Sequence, residues 1–351
     1  MKSPIKTFSL LASATLLTIS SLSAVSTDPV GYTTINVNSG ADTKVGISLF
    51  QAPKFAGSPS GVTSGVVSFS EVVPDLTTLP HFLLVTSDNG LLGQWYEIVS
   101  NSGSSVTVSE DLEAAGLTVF DTIKIIPFWT LDTLFPDGGN IPASSDVTNP
   151  VAQVLFSNVA GVGINLSPAA SYIYHSGEQG PAGWYDLNNI GGGLVGDAVI
   201  SPESFITIRN ESGSAAKVVV AGNVPVDSLS NNVISYSSSS QDNLITNPYP
   251  AGIQLQNSGL FSDGVLAASP DVTNPVDQLL IYEDTPSAKN PSPVKSVIYH
   301  SGEQGPAGWY DLNDIGGGLI NSYKIPASAA LVIRKSASSD AKVVWSPATP
   351  Y

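Results

Sequence analysis

The chain has no cysteine, one methionine, three histidines and only 12% charged residues among its 351. Each scarcity excludes something. Without cysteine there is no disulfide framework, no thiol nucleophile and no thiolate ligand for zinc or an iron–sulfur cluster. No cysteine stands ready for lipid attachment at the end of an export leader either. Lysine and arginine number 13 against 29 acidic residues, a formal charge of -16. A polyanion of this kind repels nucleic acid and anionic lipid, so no nucleic-acid partner is expected. Beyond the first two dozen residues, no apolar run approaches the ~20 residues that a spanning helix needs. Only Glu110 to Leu117 has helical character, too short for a crossover between parallel strands.

What is abundant fits strands joined by tight turns: 32 glycines and 25 prolines, with Ser, Thr, Asn and Val. At 42% hydrophobic, a chain of this length can bury two or three cores. Met1 to Ala24 begins with two lysines, continues through an apolar stretch from Phe8 to Leu22, and ends on a small residue. That pattern predicts a signal peptide over residues 1–24 and a secreted or extracytoplasmic mature protein.

The dominant feature is a repeat. Ile173-Tyr-His-Ser-Gly-Glu-Gln-Gly-Pro-Ala-Gly-Trp-Tyr-Asp-Leu-Asn188 returns unchanged as Ile298 to Asn313, 125 residues on. Asp146-Val-Thr-Asn-Pro150 returns as Asp271 to Pro275, Ile208-Arg209 as Ile333-Arg334, and Ala216 to Val219 as Ala341 to Val344. Each copy shows about five strand-like pieces and no long helix. The predicted fold is all-β: two or three small antiparallel sandwich or barrel modules, the last two a tandem duplication. The expected boundaries are an N-terminal module over 25–137, copy 1 over 138–230, and a linker plus copy 2 over 231–351. Asn231 to Asp242, with its run of serines, is the expected linker. A worn third echo lies upstream, where Ser87 precedes Trp95-Tyr96-Glu97-Ile98 as Ser176 precedes Trp184 and Ser301 precedes Trp309.

Several motifs together also suggest a family. Thr27-Asp-Pro-Val-Gly-Tyr32, Ile126-Pro-Phe-Trp-Thr-Leu131, the two Asp-Val-Thr-Asn-Pro segments, the two Gly-Trp-Tyr-Asp segments and the Ile-Arg strands give the pattern. It resembles an uncharacterised family of exported, repeat-containing β proteins of verrucomicrobial-type bacteria. The resemblance implies export and an all-β build, and brings no activity, catalytic residue or cofactor.

Candidate site residues follow from the repeated hairpin. In a strand, alternate residues share a face. If Leu187 and Leu312 point to the core, Tyr185 and Tyr310 go with them. Trp184 with Asp186, and Trp309 with Asp311, then look outward, a pairing that suits a sugar ring and its hydroxyls. The competing reading buries both tryptophans over the Pro181 and Pro306 turns, and is favoured because Trp is usually well buried. His175 with Glu178, and His300 with Glu303, invite an acid/base reading, although no nucleophile or oxyanion loop stands near them in sequence. Asp186 and Asn188, with Asp311 and Asn313, resemble the start of a calcium loop whose fifth position is filled by Ile190 or Ile315. An Asn/Gly turn that needs no ion is the simpler reading, and no cofactor is expected. The expected function is that of an exported, non-enzymatic structural or interaction protein of the cell surface or extracellular matrix, partnered by polysaccharide or by other surface proteins. The alternatives are a carbohydrate-binding protein using the Trp/Asp faces, and an extracellular hydrolase.

Overall fold

The computed structural model describes residues 29–178, 180–283 and 288–351; the expected leader lies outside them. The fold is all-β, with antiparallel sheets throughout. Among the described residues there are two α-helices, Leu112–Ala115 and Leu131–Leu134, each four residues long, and no helix is long and apolar enough to cross a membrane. The first falls inside the expected helical stretch, capped by the Asp111 carboxylate on Ala114 N–H and ended by Gly116 in the left-handed region.

Each repeat copy is a five-stranded sheet covered by a two-stranded ribbon. In copy 1 the sheet runs Gly183–Asp186, Pro168–His175, Ala152–Ser157, Phe205–Asn210, Ala41–Gly46; the ribbon pairs Val30–Val37 with Ala216–Asn223. In copy 2 the sheet runs Gly308–Asp311, Lys295–His300, Gln278–Tyr282, Ala330–Lys335, Gln241–Thr246; the ribbon pairs Asn231–Ser235 with Ala341–Trp345. Apolar residues of alternate parity, such as Val154, Ile206 and Ile208, meet Ile35, Val218 and Val220 of the ribbon to form the core of copy 1.

The boundary expected near residue 137 therefore runs through the middle of a module. The first two strands of the described chain belong to copy 1, because both ladders they complete lie after residue 200. Likewise, the expected linker from Asn231 to Asp242 forms the first strand of copy 2 and opens the second. Its serines merely turn the corner between them.

The rest of the N-terminal part is an insert in copy 1. Equivalent strands Ala41–Gly46 and Gln241–Thr246 lie 200 residues apart, against 125 for Phe205–Asn210 and Ala330–Lys335; the difference of 75 is the insert. Its two ends are stitched together where they leave copy 1. Trp129 Nε1 donates to Leu49 O at 2.6 Å, and Gln51 Nε2 to Phe128 O at 2.6 Å. Ends held this close let a folded unit sit in a loop without disturbing its host. The insert is a seven-stranded sheet, in the order Phe55–Gly57, Ile123–Pro127, His81–Val85, Trp95–Ser102, Ser105–Val108, Val66–Ser68, Gly61–Thr63. Setting aside its added edge hairpin, the order is first, last, second, third, fourth, as in both copies.

The expected Trp95 equivalence is one of sequence and not of role. Tyr96 lies in the insert's core, whereas Trp95 packs outward with Phe82, Phe128 and Leu229 at the seam with copy 1. In the copies the parity is reversed.

The copies also pack on one another rather than standing as separate beads. Gly46 N–H donates to Ser328 O at 2.8 Å, Val45 bridges Ala329, and the Ser48 and Ser328 hydroxyls are 2.6 Å apart. Gly46 must be glycine for this, since a Cβ there would lie 1.7 Å from Thr246 Oγ1. At the same junction Thr246 N–H donates to Glu203 O. Burial pushes the Glu203 carboxyl up to about 7, against the opposing Lys342 charge and Trp95 indole. A folded value above the unfolded one gives stability that is complete below about pH 4.5 and is lost as pH rises through 7. The unfolding free energy should fall by about 2–3 kcal/mol across that window. Denaturant titrations of Glu203→Gln should lack this decline, and an unchanged slope would place it on another group.

Candidate functional site

The duplicated hairpin is built almost entirely from side chains turned to its own support. Trp184 and Trp309 are 1% and 2% exposed. Each lies in the core of its copy, edge-on to Tyr174 or Tyr299 at 5.5 and 5.3 Å. The outward Trp/Asp face is thereby corrected: the tryptophans point inward and Tyr185 points the other way. The inference failed at Leu187 and Leu312. The strand ends at Asp186 or Asp311, whose carboxylate accepts the N–H of Asn188 or Asn313 in a tight turn, so the leucine after it does not set the strand's parity. Gly183 has φ +145°, and a Cβ there would approach Leu194 Cδ2 to 2.8 Å.

His175 and His300 are 2% and 1% exposed, and the backbone occupies both ring nitrogens. Nδ1 accepts Gly177 or Gly302 N–H at 3.1 Å, so Nε2 carries the proton and donates to Ser145 O or Pro270 O at 3.2 Å. Glu178 and Glu303 are exposed and make no hydrogen bond to the histidines, so the expected acid/base pairs are not assembled. Tyr185 and Tyr310 hydroxyls close the turn on Pro181 O and Pro306 O at 3.0 and 3.1 Å.

The calcium candidates differ between copies. Asp311 is buried and takes Lys295 Nζ at 2.7 Å, which also holds the lysine above its ordinary range through that hydrogen bond. Position 170, the equivalent of Lys295, is alanine in copy 1. Asn188 and Asn313 are exposed, and their backbone N–H groups are the ones that the aspartates accept. Among the described residues no group of three His, Asp or Glu side chains is placed to hold a metal ion.

The chemistry left open lies on the other face of the copy 1 sheet. Two rows cross it from strand to strand. One runs Asp42, Arg209, Gln153; the next runs Lys44, Thr207, Leu155, Ser171. Asp42 is buried and held by Arg209 in a two-pronged pair, Nε to Oδ1 and Nη2 to Oδ2, each at 2.8 Å. Its Oδ2 also accepts Asn290 N–H from copy 2 at 2.9 Å. Burial alone would raise the Asp42 carboxyl, but Arg209, the Asn290 N–H and the Lys44 charge outweigh it and hold it low. Copy 2 keeps this row as Asp242, Arg334 and Gln278, with contacts of 2.7 and 3.0 Å.

The second row does not carry over. In copy 2 it reads Leu244, Val332, Leu280, Ser296, and its apolar members with Tyr282 and Ala330 pack against Phe205 of copy 1. Between the two sheets this leaves a cleft of about 530 Å³, lined by both copy 1 rows together with Leu244 and Asn290.

The class of protein this defines is an all-β chain of two packed repeat copies with a third β unit inserted in the first. No family model, curated protein or solved structure matches it. None of the expected site residues lines the cleft. The one sequence signal toward it was the repeated Ile-Arg strand; the Asp partners, offset by 200 instead of 125, escaped the register in which the repeat was read.

Proposed function

We propose that the protein is an exported, non-enzymatic structural or interaction protein of the cell surface or extracellular matrix, of the same kind as the exported repeat family its motifs resemble. One observation carries the reading: in both unchanged repeats the His, Trp, Tyr and Asp side chains that could do chemistry are turned to holding the hairpin. A repeat kept for chemistry would bring an exposed acid or base against a partner group, whereas Glu178 and Glu303 face solvent with no hydrogen bond to the histidines. Its acidic balance suits a surface that stays soluble and keeps off anionic lipid. The expected result of antibody labelling on intact producing cells is signal at the cell surface or in the matrix; confinement to the cytoplasm would overturn the reading. Purified protein incubated with polysaccharides should release no new reducing ends.

A further inference from the structure

We propose that the cleft between the two repeat copies is a binding site for an acidic oligosaccharide, with Lys44 Nζ receiving a uronate carboxylate. The inference deepens the interaction role proposed above and rests on it.

The argument begins with an unspent cation. Lys44 lies between two rings, 5.4 Å from the centroid of Phe205 and 5.2 Å from that of Tyr282. Ring faces attract the charge but leave the three N–H donors without a hydrogen-bond acceptor among the described residues. The nearby Asp42 carboxylate is hydrogen-bonded to Arg209 and Asn290, and no hydrogen bond or ion pair joins it to Lys44; the two interact through charge alone. Burial lowers the Lys44 ammonium from its usual range; the Asp42 charge opposes the fall and the Arg209 charge adds to it. Among the described residues the charged lining is thus Lys44 and Arg209 against Asp42, one net positive charge in a chain of formal charge -16.

A single spare charge fits a monoanionic carboxylate better than a dianionic phosphate. The remaining lining fits a sugar. Thr207, beside Lys44 in the ladder, makes no hydrogen bond through its hydroxyl among the described residues; Gln153, whose Oε1 accepts from Ser171 Oγ, and Asn290, whose Oδ1 accepts from Arg209, also line the cleft. Leu155, Leu166 and Pro168 supply apolar surface for the ring's C–H face. A volume of about 530 Å³ lies in the range of small-ligand sites, which are often found between packed units. Copy 2 shows the contrast: with Leu and Val at the places of Lys44 and Thr207, its face is used for packing.

The test is calorimetric titration of the full chain with a monoanionic aldotriouronic acid (one glucuronate on two neutral sugars), a neutral trisaccharide and acetate. Binding of the aldotriouronic acid alone is expected, with a loss of about tenfold or more in Lys44→Leu, whose replacement copies the residue at 244 and should fold. Thr207→Val should weaken binding further. No binding of the aldotriouronic acid, equal binding of the neutral sugar or of acetate, or full retention by folded Lys44→Leu would each overturn the site while leaving the non-catalytic reading standing. Cleavage of the trisaccharide would instead overturn that reading.

Discussion

Replacing Trp309 by Ala is expected to lower the unfolding free energy by about 3–5 kcal/mol, the range for removing a large aromatic from a packed core. The ring is 2% exposed, edge-on to Tyr299 and enclosed by the core of copy 2. The hairpin strand that carries it is four residues long, lies at the edge of its sheet and is buried along its whole length. Trp184→Ala should cost a similar amount in copy 1, where Phe135 adds a second ring at 5.8 Å. Denaturant unfolding followed by circular dichroism reads both. Variants as stable as the parent would restore the outward-facing tryptophans and their sugar-binding role.

The second large effect belongs to Asp42. Asp42→Ala leaves the Arg209 guanidinium, partly buried at 23% exposure, without its two-pronged partner, and also frees the Asn290 N–H of copy 2. Removing one member of a buried pair strands the other charge, at about 3 kcal/mol or more. Asp242→Ala should cost less. Its carboxylate pairs with Arg334 alone, so only copy 2 loses a contact. The depressed Asp42 carboxyl gives stability that is present above its unfolded value near 4 and is lost as pH falls through the lower folded value. The parent and Asp42→Ala should therefore draw together as pH falls below 4 and converge below the folded value. Equal cost of the two Asp variants at neutral pH would show that the Asn290 contact contributes nothing to packing of the copies.

Those two residues mark what could be read early and what could not. Trp309 stood in an unchanged repeat, and its burial followed from the habits of Trp. The outward alternative arose from counting alternation through Leu312, which lies past the turn where alternation stops. Asp42 carried no mark at all. Its partner Arg209 was visible as a repeated Ile-Arg, but an insert shifts the aspartates out of the 125-residue register. Lys44 was more hidden still: it is a lone lysine in a strand until two sheets meet around it.

By itself the sequence determined the all-β build, the duplication, the positions of most strands and the turns between them. These follow from local chemistry: alternation, glycine and proline at turns, and a repeat that needs no geometry to detect. Only the tertiary structure decided that the first two strands close copy 1 across 75 intervening residues, that the supposed linker is a pair of strands, and that the copies pack with a cleft between them. Strand partnership depends on which edges are left unpaired after folding, and a cleft depends on which faces meet. Both are set by contacts between residues far apart in the chain, where alternation carries no information.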